Sequence, residues 1–322
     1  MERNKVVLFL ILILTILATV IGLVNITVNS APFRQSRTLQ GKNKIVKDAE
    51  GGAYLLKIEG EIHSGKSTYS STGLDTILAK LEDIESRADI KGILLEINSP
   101  GGTVGASQEI YSEIMRLKKK KKVVVSMKDL AASGGYYIAA ASDHIFALPG
   151  TITGSIGVIT ISPNISGLLK KYDIKMNVFK KGKYKDTLSM FKNPTEAEEE
   201  IIEDMLEDTY SRFIEDVKIG RNMTDKEVEK AAEGRVFSGE EAVRKKLVDS
   251  IGGRREALQK LSELCGHSGT MELIEDEDSP FDRFFELLSA KTFVQAILGK
   301  TNITSIHSPI MLILPSSIKV IE

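Results

Sequence analysis

Two short segments rich in apolar residues, each followed a few residues later by a Gly-Gly pair, most constrain the fold of this 322-residue chain. They occupy residues 92–98 and 122–127. Strands that lack polar alternation are typical of parallel sheets whose two faces are both covered by helices. Apolar residues at helical spacing lie over 74–88 and 103–117, and over 195–219, where acidic residues fill the first turns of the predicted helix. The pattern therefore predicts an α/β fold with a parallel sheet and crossover helices.

A separate apolar run near the N-terminus predicts a membrane anchor. Residues 6–24 carry no charge, and as a helix they would span about 30 Å, the thickness of a bilayer core. Residues 25–31 offer no Ala-x-Ala-like cleavage site, which favours an uncleaved anchor. More arginine and lysine residues follow the run than precede it, so charge alone would leave the main body in the cytoplasm.

Charge and composition exclude several classes of function. The net charge is −1, which gives no global field to attract nucleic acid. The single cysteine, Cys265, can form no internal disulfide and excludes a cysteine-rich zinc module. We expect neither a metal nor a cofactor. The lysine run 118–122 is open to two interpretations, the solvated end of a helix or a patch that binds anions.

The segment Asn98-Ser99-Pro100-Gly101-Gly102 joins a predicted buried strand to a predicted helix. Glycines at such a turn allow backbone N–H groups to face a carbonyl oxygen, as in an oxyanion hole. A tight turn without any ligand is the alternative.

Ser133 repeats this arrangement one strand later, in front of Gly134 and Gly135. A serine at the start of a helix is most often an N-cap. The two glycines would also let a substrate backbone approach the hydroxyl, so a nucleophile is the second interpretation.

A serine nucleophile needs a base, and no histidine has a neighbourhood that suggests one. The four histidines are His63, His144, His267 and His307. Lys185, in the turn 182–186 that follows a strand predicted over 175–180, is the better candidate. A lysine must lose its proton to act as a base, and burial favours the neutral form. Other lysines lie beside it, so a plain surface lysine is the alternative.

Taken together, these segments resemble the signal peptide peptidase A family of serine–lysine proteases, which have a ClpP/crotonase-type fold. The resemblance covers roughly residues 50 to 255 and rests on several short motifs. The matching segments are 98–102, 131–137, 153–158, 182–186, 234–239 and 247–249. The chain departs from the family at Lys246, where a glycine is expected before Leu247.

The resemblance implies a role for five residues. Ser133 would be the nucleophile and Lys185 the general base. Ser155 would hold the lysine by a hydrogen bond, and the N–H groups of Gly102 and Gly134 would form the oxyanion hole.

The resemblance also implies the organisation of the chain. We expect a membrane anchor at 1–25, a linker at 26–50, a serine protease domain at 51–255 and a C-terminal extension at 256–322. The protease domain would lie on the extracytoplasmic side of the membrane, in a homo-oligomeric ring whose neighbours share sites. The substrates would be cleaved signal peptides, with no nucleic-acid partner. The apolar end of the extension would allow it to occupy a binding groove.

Three alternatives remain open at this point. The chain could be a related serine protease for membrane-protein quality control, or a crotonase-type acyl-CoA enzyme, which needs neither the serine–lysine pair nor an anchor. It could also be a catalytically inactive scaffold, although the intact pair argues against that.

Overall fold

The computed structural model of the chain describes residues 51–68 and 70–276, and the backbone of residues 311–313. The predicted anchor (1–25) and linker (26–50) lie outside the described residues, as does most of the predicted extension beyond 276. Among the helices of the described part, none is long and apolar enough to cross a membrane.

Strands and helices alternate along most of the described chain. The strands are β1 (Gly52–Glu59), β2 (Glu61–His63), β3 (Ser71–Gly73), β4 (Ile90–Ser99), β5 (Gly101–Thr103), β6 (Lys122–Ala132), β7 (His144–Ala147), β8 (Ile152–Gly154), β9 (Val236–Ser238), β10 (Ser250–Ile251), β11 (Leu273–Ile274) and β12 (Met311–Ile313). The helices are α1 (Leu74–Ser86), α2 (Val104–Leu117), α3 (Gly134–Ala140), α4 (Ser166–Lys171), α5 (Glu196–Arg221), α6 (Asp225–Glu229), α7 (Gly239–Arg244) and α8 (Arg254–Leu264).

The main sheet is parallel along its whole path, in the order β10-β7-β6-β4-β1-β11. Strand β8 adds in parallel beside the end of β6, and β9 pairs antiparallel with β8. The predicted α/β class with a parallel sheet is therefore confirmed. Strand β11 and helix α8 lie mostly within the predicted C-terminal extension, and both pack on this sheet.

The central strands are mostly apolar because both of their faces are buried. In β4, Ile93 and Leu95 belong to the larger core cluster, whereas Leu94 between them packs with Leu261 of α8 on the opposite face. Burying each such side chain contributes about 1.5–3 kcal/mol of hydrophobic stabilisation. A one-residue slip of β4 would exchange the two faces, so the packing fixes its register.

A small second sheet lies beside the end of β4, in the order β12-β5-β2-β3. Gly102 of β5 pairs in parallel with Ile62 of β2. On its other edge β5 pairs antiparallel with residues 311–313, so that Leu312 lies opposite Gly102. The backbone of β5 is thus bordered by an extended chain on both sides.

The strand predicted over 175–180 is wrong. Residues 174–180 belong to no strand in the described structure, and they are exposed. Their apolar side chains alternate as in a strand, but a strand forms only where a neighbouring strand accepts its backbone hydrogen bonds. By contrast, the helix predicted over 195–219 is confirmed as α5, which begins with a capping box between Thr195 and Glu198.

Lys246, which stands where the family pattern expects glycine, has a left-handed backbone with φ 63°. Glycine adopts this conformation at no steric cost, so the backbone at Lys246 keeps the shape that the pattern requires. The amino group of Lys246 also forms an ion pair with Glu227.

Candidate active site

The candidate site lies where the ends of β4 and β6 meet. The two strands pair regularly up to Ile97 and Met127, but the next pair is Ser99 with Ala131. Between these two pairs β6 advances by four residues, whereas β4 advances by two. The extra residues form a bulge in β6. Such bulges bend a strand locally and often lie next to active sites. Here the bulge carries β6 onward to pair with β8 and to end at Ser133.

Ser133 is buried and has a strained backbone, with φ 53° and ψ −118°. Its N–H donates to the carbonyl of Gly154 at 2.8 Å, and its own carbonyl accepts from the N–H of Tyr137 at 2.8 Å. Serine N-caps have extended backbones, and their hydroxyls accept from the first helical turn. Ser133 does neither, since its side chain makes no capping hydrogen bond. The N-cap interpretation is therefore wrong, and the hydroxyl stays available for chemistry.

The helix that follows Ser133 is held rigidly. Every residue of α3 is buried. The hydroxyl of Tyr136 donates to the carbonyl of Leu247 at 3.0 Å, and that of Tyr137 donates to the carboxylate of Asp216 on α5. Burial, reinforced by the bond to Asp216, raises the pKa of Tyr137 above its usual range. Tyr137 therefore stays protonated and keeps its donor, which ties the start of α3 to the rest of the core.

Gly102 and Gly134, the two predicted oxyanion donors, lie beside each other. A Cβ atom built on Gly134 would lie 3.1 Å from the backbone N of Gly102 and 2.5 Å from Oγ of Ser107. A Cβ on Gly102 would lie only 1.8 Å from the carbonyl oxygen of Ile62. Both positions therefore require glycine for close backbone approach. The two backbone amides therefore lie close together, next to Ser133, whose hydroxyl makes no hydrogen bond among the described residues. An oxyanion hole uses backbone amides placed in this way.

Ser107 does not stand out in the sequence because it looks like an ordinary helical residue. It is buried, its hydroxyl donates to the carbonyl of Thr103 at 3.0 Å, and it faces Gly134. The available signal was its position four residues after Thr103, which follows the Gly-Gly pair, since residues four apart lie on the same face of a helix.

Ser155 lies close to Ser133 through the pairing of β8 with β6. Ala132 and Gly154 are register partners, so the two serines follow neighbouring strand ends. Ser155 is also buried and left-handed, with φ 51°, and its N–H donates to the carbonyl of Arg235 at 2.7 Å. Within the described part its hydroxyl makes no hydrogen bond, which leaves it free to contact another group.

Within the described residues, the side chain of Lys185 is not bonded to the candidate site. It lies in an exposed turn, and no hydrogen bond joins it to Ser133 or Ser155 among the described residues. The neighbouring carboxylate of Asp186 is already bonded to Lys180 and Lys192, and these contacts hold the pKa of Asp186 below its usual range. Lys185 therefore stays without an ion pair in the described structure, although lysines and an acid surround it.

Lys185 belongs to a segment, residues 159–192, that we call the arm. The arm contains helix α4, which buries none of its residues. Several large apolar side chains of the arm face solvent, and Phe179 is 96% exposed. They are Ile161, Leu168, Tyr172, Ile174, Met176, Val178, Phe179, Tyr184 and Phe191. An exposed apolar surface of this kind is typical of a protein–protein interface.

The described histidines do not serve Ser133. The imidazole of His144 contacts the hydroxyl of Ser250 at 3.1 Å, and that of His63 contacts Ser71 at 2.9 Å. His267 contacts the backbone of Gly269. That no histidine acts as the base stays a prediction.

Comparison with known proteins gives a consistent answer. The model of peptidase family S49 matches residues 115–268, which include Ser133, Ser155 and Lys185. A protein of Enterococcus faecium that carries the name signal peptide peptidase SppA is 38% identical over 219 residues, 68% of this chain and 62% of its own length. A protein of Methanocaldococcus jannaschii named as a protease is 35% identical over 275 residues, 84% of this chain and 86% of its own length. Protease 4 of Haemophilus influenzae is 36% identical over 211 residues, 65% of this chain but only 34% of its own length.

The strained backbone at Ser133 predicts an unusual stability order. A non-glycine residue in a left-handed conformation costs about 1–3 kcal/mol, and glycine relieves that cost. We expect Ser133→Gly to be more stable than Ser133→Ala by about 1 kcal/mol in chemical denaturation, because both variants lack the hydroxyl and differ only in backbone freedom. Ser142, a buried serine whose φ is not positive, is the control. At position 142 we expect Ser142→Gly to be less stable than Ser142→Ala. If glycine is more stable than alanine at both positions, or less stable at both, the prediction is contradicted.

Proposed function

The chain belongs to peptidase family S49 and is a serine peptidase; from that premise we propose that it is a membrane-anchored endopeptidase that hydrolyses remnant signal peptides with a Ser133–Lys185 dyad. The observation that carries the proposal is the free, buried hydroxyl of Ser133 beside the backbone amides of Gly102 and Gly134. The anchor is the one predicted at residues 1–25.

The reaction follows from the roles of these groups. Oγ of Ser133 attacks the carbonyl carbon of the scissile peptide bond, and its proton passes to the neutral amine of Lys185. The N–H groups of Gly102 and Gly134 stabilise the negative charge that develops on the carbonyl oxygen. As the C–N bond breaks, Lys185 returns the proton to the leaving amine. Water then hydrolyses the acyl ester of Ser133, with Lys185 again as the base.

We further propose that Lys185 acts on the Ser133 of a neighbouring protomer in a homo-oligomeric ring. Three observations support this arrangement: the exposed apolar side chains of the arm, the absence of an ion pair at Lys185 in the described structure, and the free hydroxyl of Ser155. Packing of the arm against a second copy would cover these side chains. It would also remove Lys185 from water, which favours the neutral amine that a base requires.

The edge of β5 supports the proposed substrate class. This edge accepts an extended backbone in antiparallel orientation, as its pairing with residues 311–313 illustrates. Strand addition of this kind binds a peptide through its main chain and tolerates many side chains. A signal peptide released into the bilayer is an apolar segment that an anchored protease can reach. The proposed orientation places residues 51–255 on the extracytoplasmic side.

Substitution of the dyad tests the proposed chemistry. We expect Ser133→Ala and Lys185→Ala each to lower kcat for a fluorogenic peptide by on the order of 10³-fold or more, because each removes a group that the bond-breaking step uses. Lys181→Ala is the matched control, since Lys181 is an exposed lysine of the same turn region and should leave kcat near that of wild type. Full activity of either dyad variant would refute the assignment.

Mixing of inactive variants tests whether neighbouring protomers share sites. If Ser133 and Lys185 of one site come from two chains, a co-assembled 1:1 mixture of Ser133→Ala and Lys185→Ala protomers has about one intact site in four, by random neighbour pairing in a closed ring. We expect about a quarter of wild-type activity from that mixture. Ser133→Ala mixed with the double variant provides the control and should stay inactive. No recovery in co-assembled rings would place the dyad within one chain.

Paired substrates test the substrate class. We expect a higher kcat/KM for a synthetic signal peptide than for a peptide from the apolar C-terminus of a membrane protein, measured with the full chain in the same detergent. We expect kcat/KM to be higher for the signal peptide because its apolar centre would lie along β5 in an extended conformation. The reverse preference would favour the quality-control alternative, with the dyad chemistry unchanged.

A further inference from the structure

Ser99, the last residue of β4, is completely buried and uses its hydroxyl fully. Its Oγ donates to the carbonyl of Gly60 at 2.6 Å and accepts from the N–H of Gly101 at 3.1 Å. Gly60 also donates its own N–H to the carbonyl of Asn98 at 3.0 Å. Ser99 therefore joins the turn between β1 and β2 to the turn between β4 and β5.

The orientation of this hydroxyl decides which amide faces the candidate site. A hydroxyl has one proton, and donation to Gly60 turns the lone pairs of Ser99 toward the N–H of Gly101. That N–H is thereby used inside the protein, while Gly101 adopts the left-handed φ of 106°. The next amide, that of Gly102, is the one that lies beside Gly134.

Ser99 also contacts the second predicted donor segment. A Cβ atom on Gly135 would lie 3.0 Å from the carbonyl oxygen of Ser99 and 3.3 Å from its Cβ. The start of α3, which includes Gly134, is thus packed directly on Ser99. One residue therefore contacts both backbone segments that carry the amides of Gly102 and Gly134.

We propose that Ser99 is a positioning residue that sets the placement of the Gly102 amide relative to the Gly134 amide. The proposal rests on the serine peptidase mechanism given above. Ser99 itself contacts no substrate in this scheme. Because the two amides meet the oxyanion only as charge develops, loss of Ser99 should weaken binding of the transition state and spare binding of the substrate.

The full chain with Ser99→Ala tests this role. We expect kcat for a fluorogenic peptide to fall about 10- to 100-fold, less than or comparable to the loss of a whole oxyanion donor, while KM changes by less than about twofold. The Ki of a peptide aldehyde, whose carbonyl carbon takes up Oγ of Ser133 to form a tetrahedral hemiacetal, should rise by the same factor. The affinity of an uncleaved substrate peptide, measured in the Ser133→Ala background, should stay the same.

Ser142→Ala is the matched control for stability. The buried hydroxyl of Ser142 donates to the carbonyl of Ala139 at 2.8 Å near the far end of α3, so its loss removes a similar bond away from the site. Equal kcat values for Ser99→Ala and Ser142→Ala would overturn the proposal. So would a fall in kcat without a rise in the aldehyde Ki.

Two further variants decide the matter if Ser99→Ala does not fold. Ser99→Thr keeps the hydroxyl and should retain at least tenfold more activity than Ser99→Cys, whose thiol is a weak donor. Similar activity of the two variants would also overturn the proposal. Failure of the serine mechanism itself is recognised separately, because Ser133→Ala would then remain active.

Discussion

The parallel pairing of β4 with β6 is the constraint on which the rest of the molecule depends. Both strands are buried on both faces, so their register cannot change without moving apolar side chains from one core to the other. Their carboxyl ends therefore meet at a fixed place. The two strands stop pairing regularly at the bulge after Met127. Beyond it, the chain that leaves β4 forms β5, and the chain that leaves β6 leads to Ser133. The candidate site is a direct result of this pairing.

The sequence predicts the features that depend on local pattern. Apolar runs without alternation indicated the parallel sheet, and the glycine pairs after β4 and β6 indicated the two close backbone approaches, because each of these properties is set by neighbouring residues. Helix α5 was found for the same reason, from its apolar spacing and its acidic first turn.

Features that depend on distant residues were not predictable in this way. The hydroxyl of Ser99 is fixed by Gly60, which lies 39 positions earlier in the chain, and no sequence pattern records that contact. A strand was predicted over 175–180, but whether a strand forms depends on a partner strand that the local sequence does not contain. The left-handed backbone of Ser133 was equally hidden, since serine at a helix start usually has an extended backbone.

The exposed arm has a consequence for how such a chain would be controlled. Residues 159–192 bury few apolar side chains of their own, so their shape depends on whatever they pack against. If that partner is another copy, activity depends on protomer concentration, and a freshly made or diluted chain is inert without any inhibitory propeptide. If the chain is also anchored as proposed, its copies meet in two dimensions, and confinement to the membrane would act as the switch that permits proteolysis.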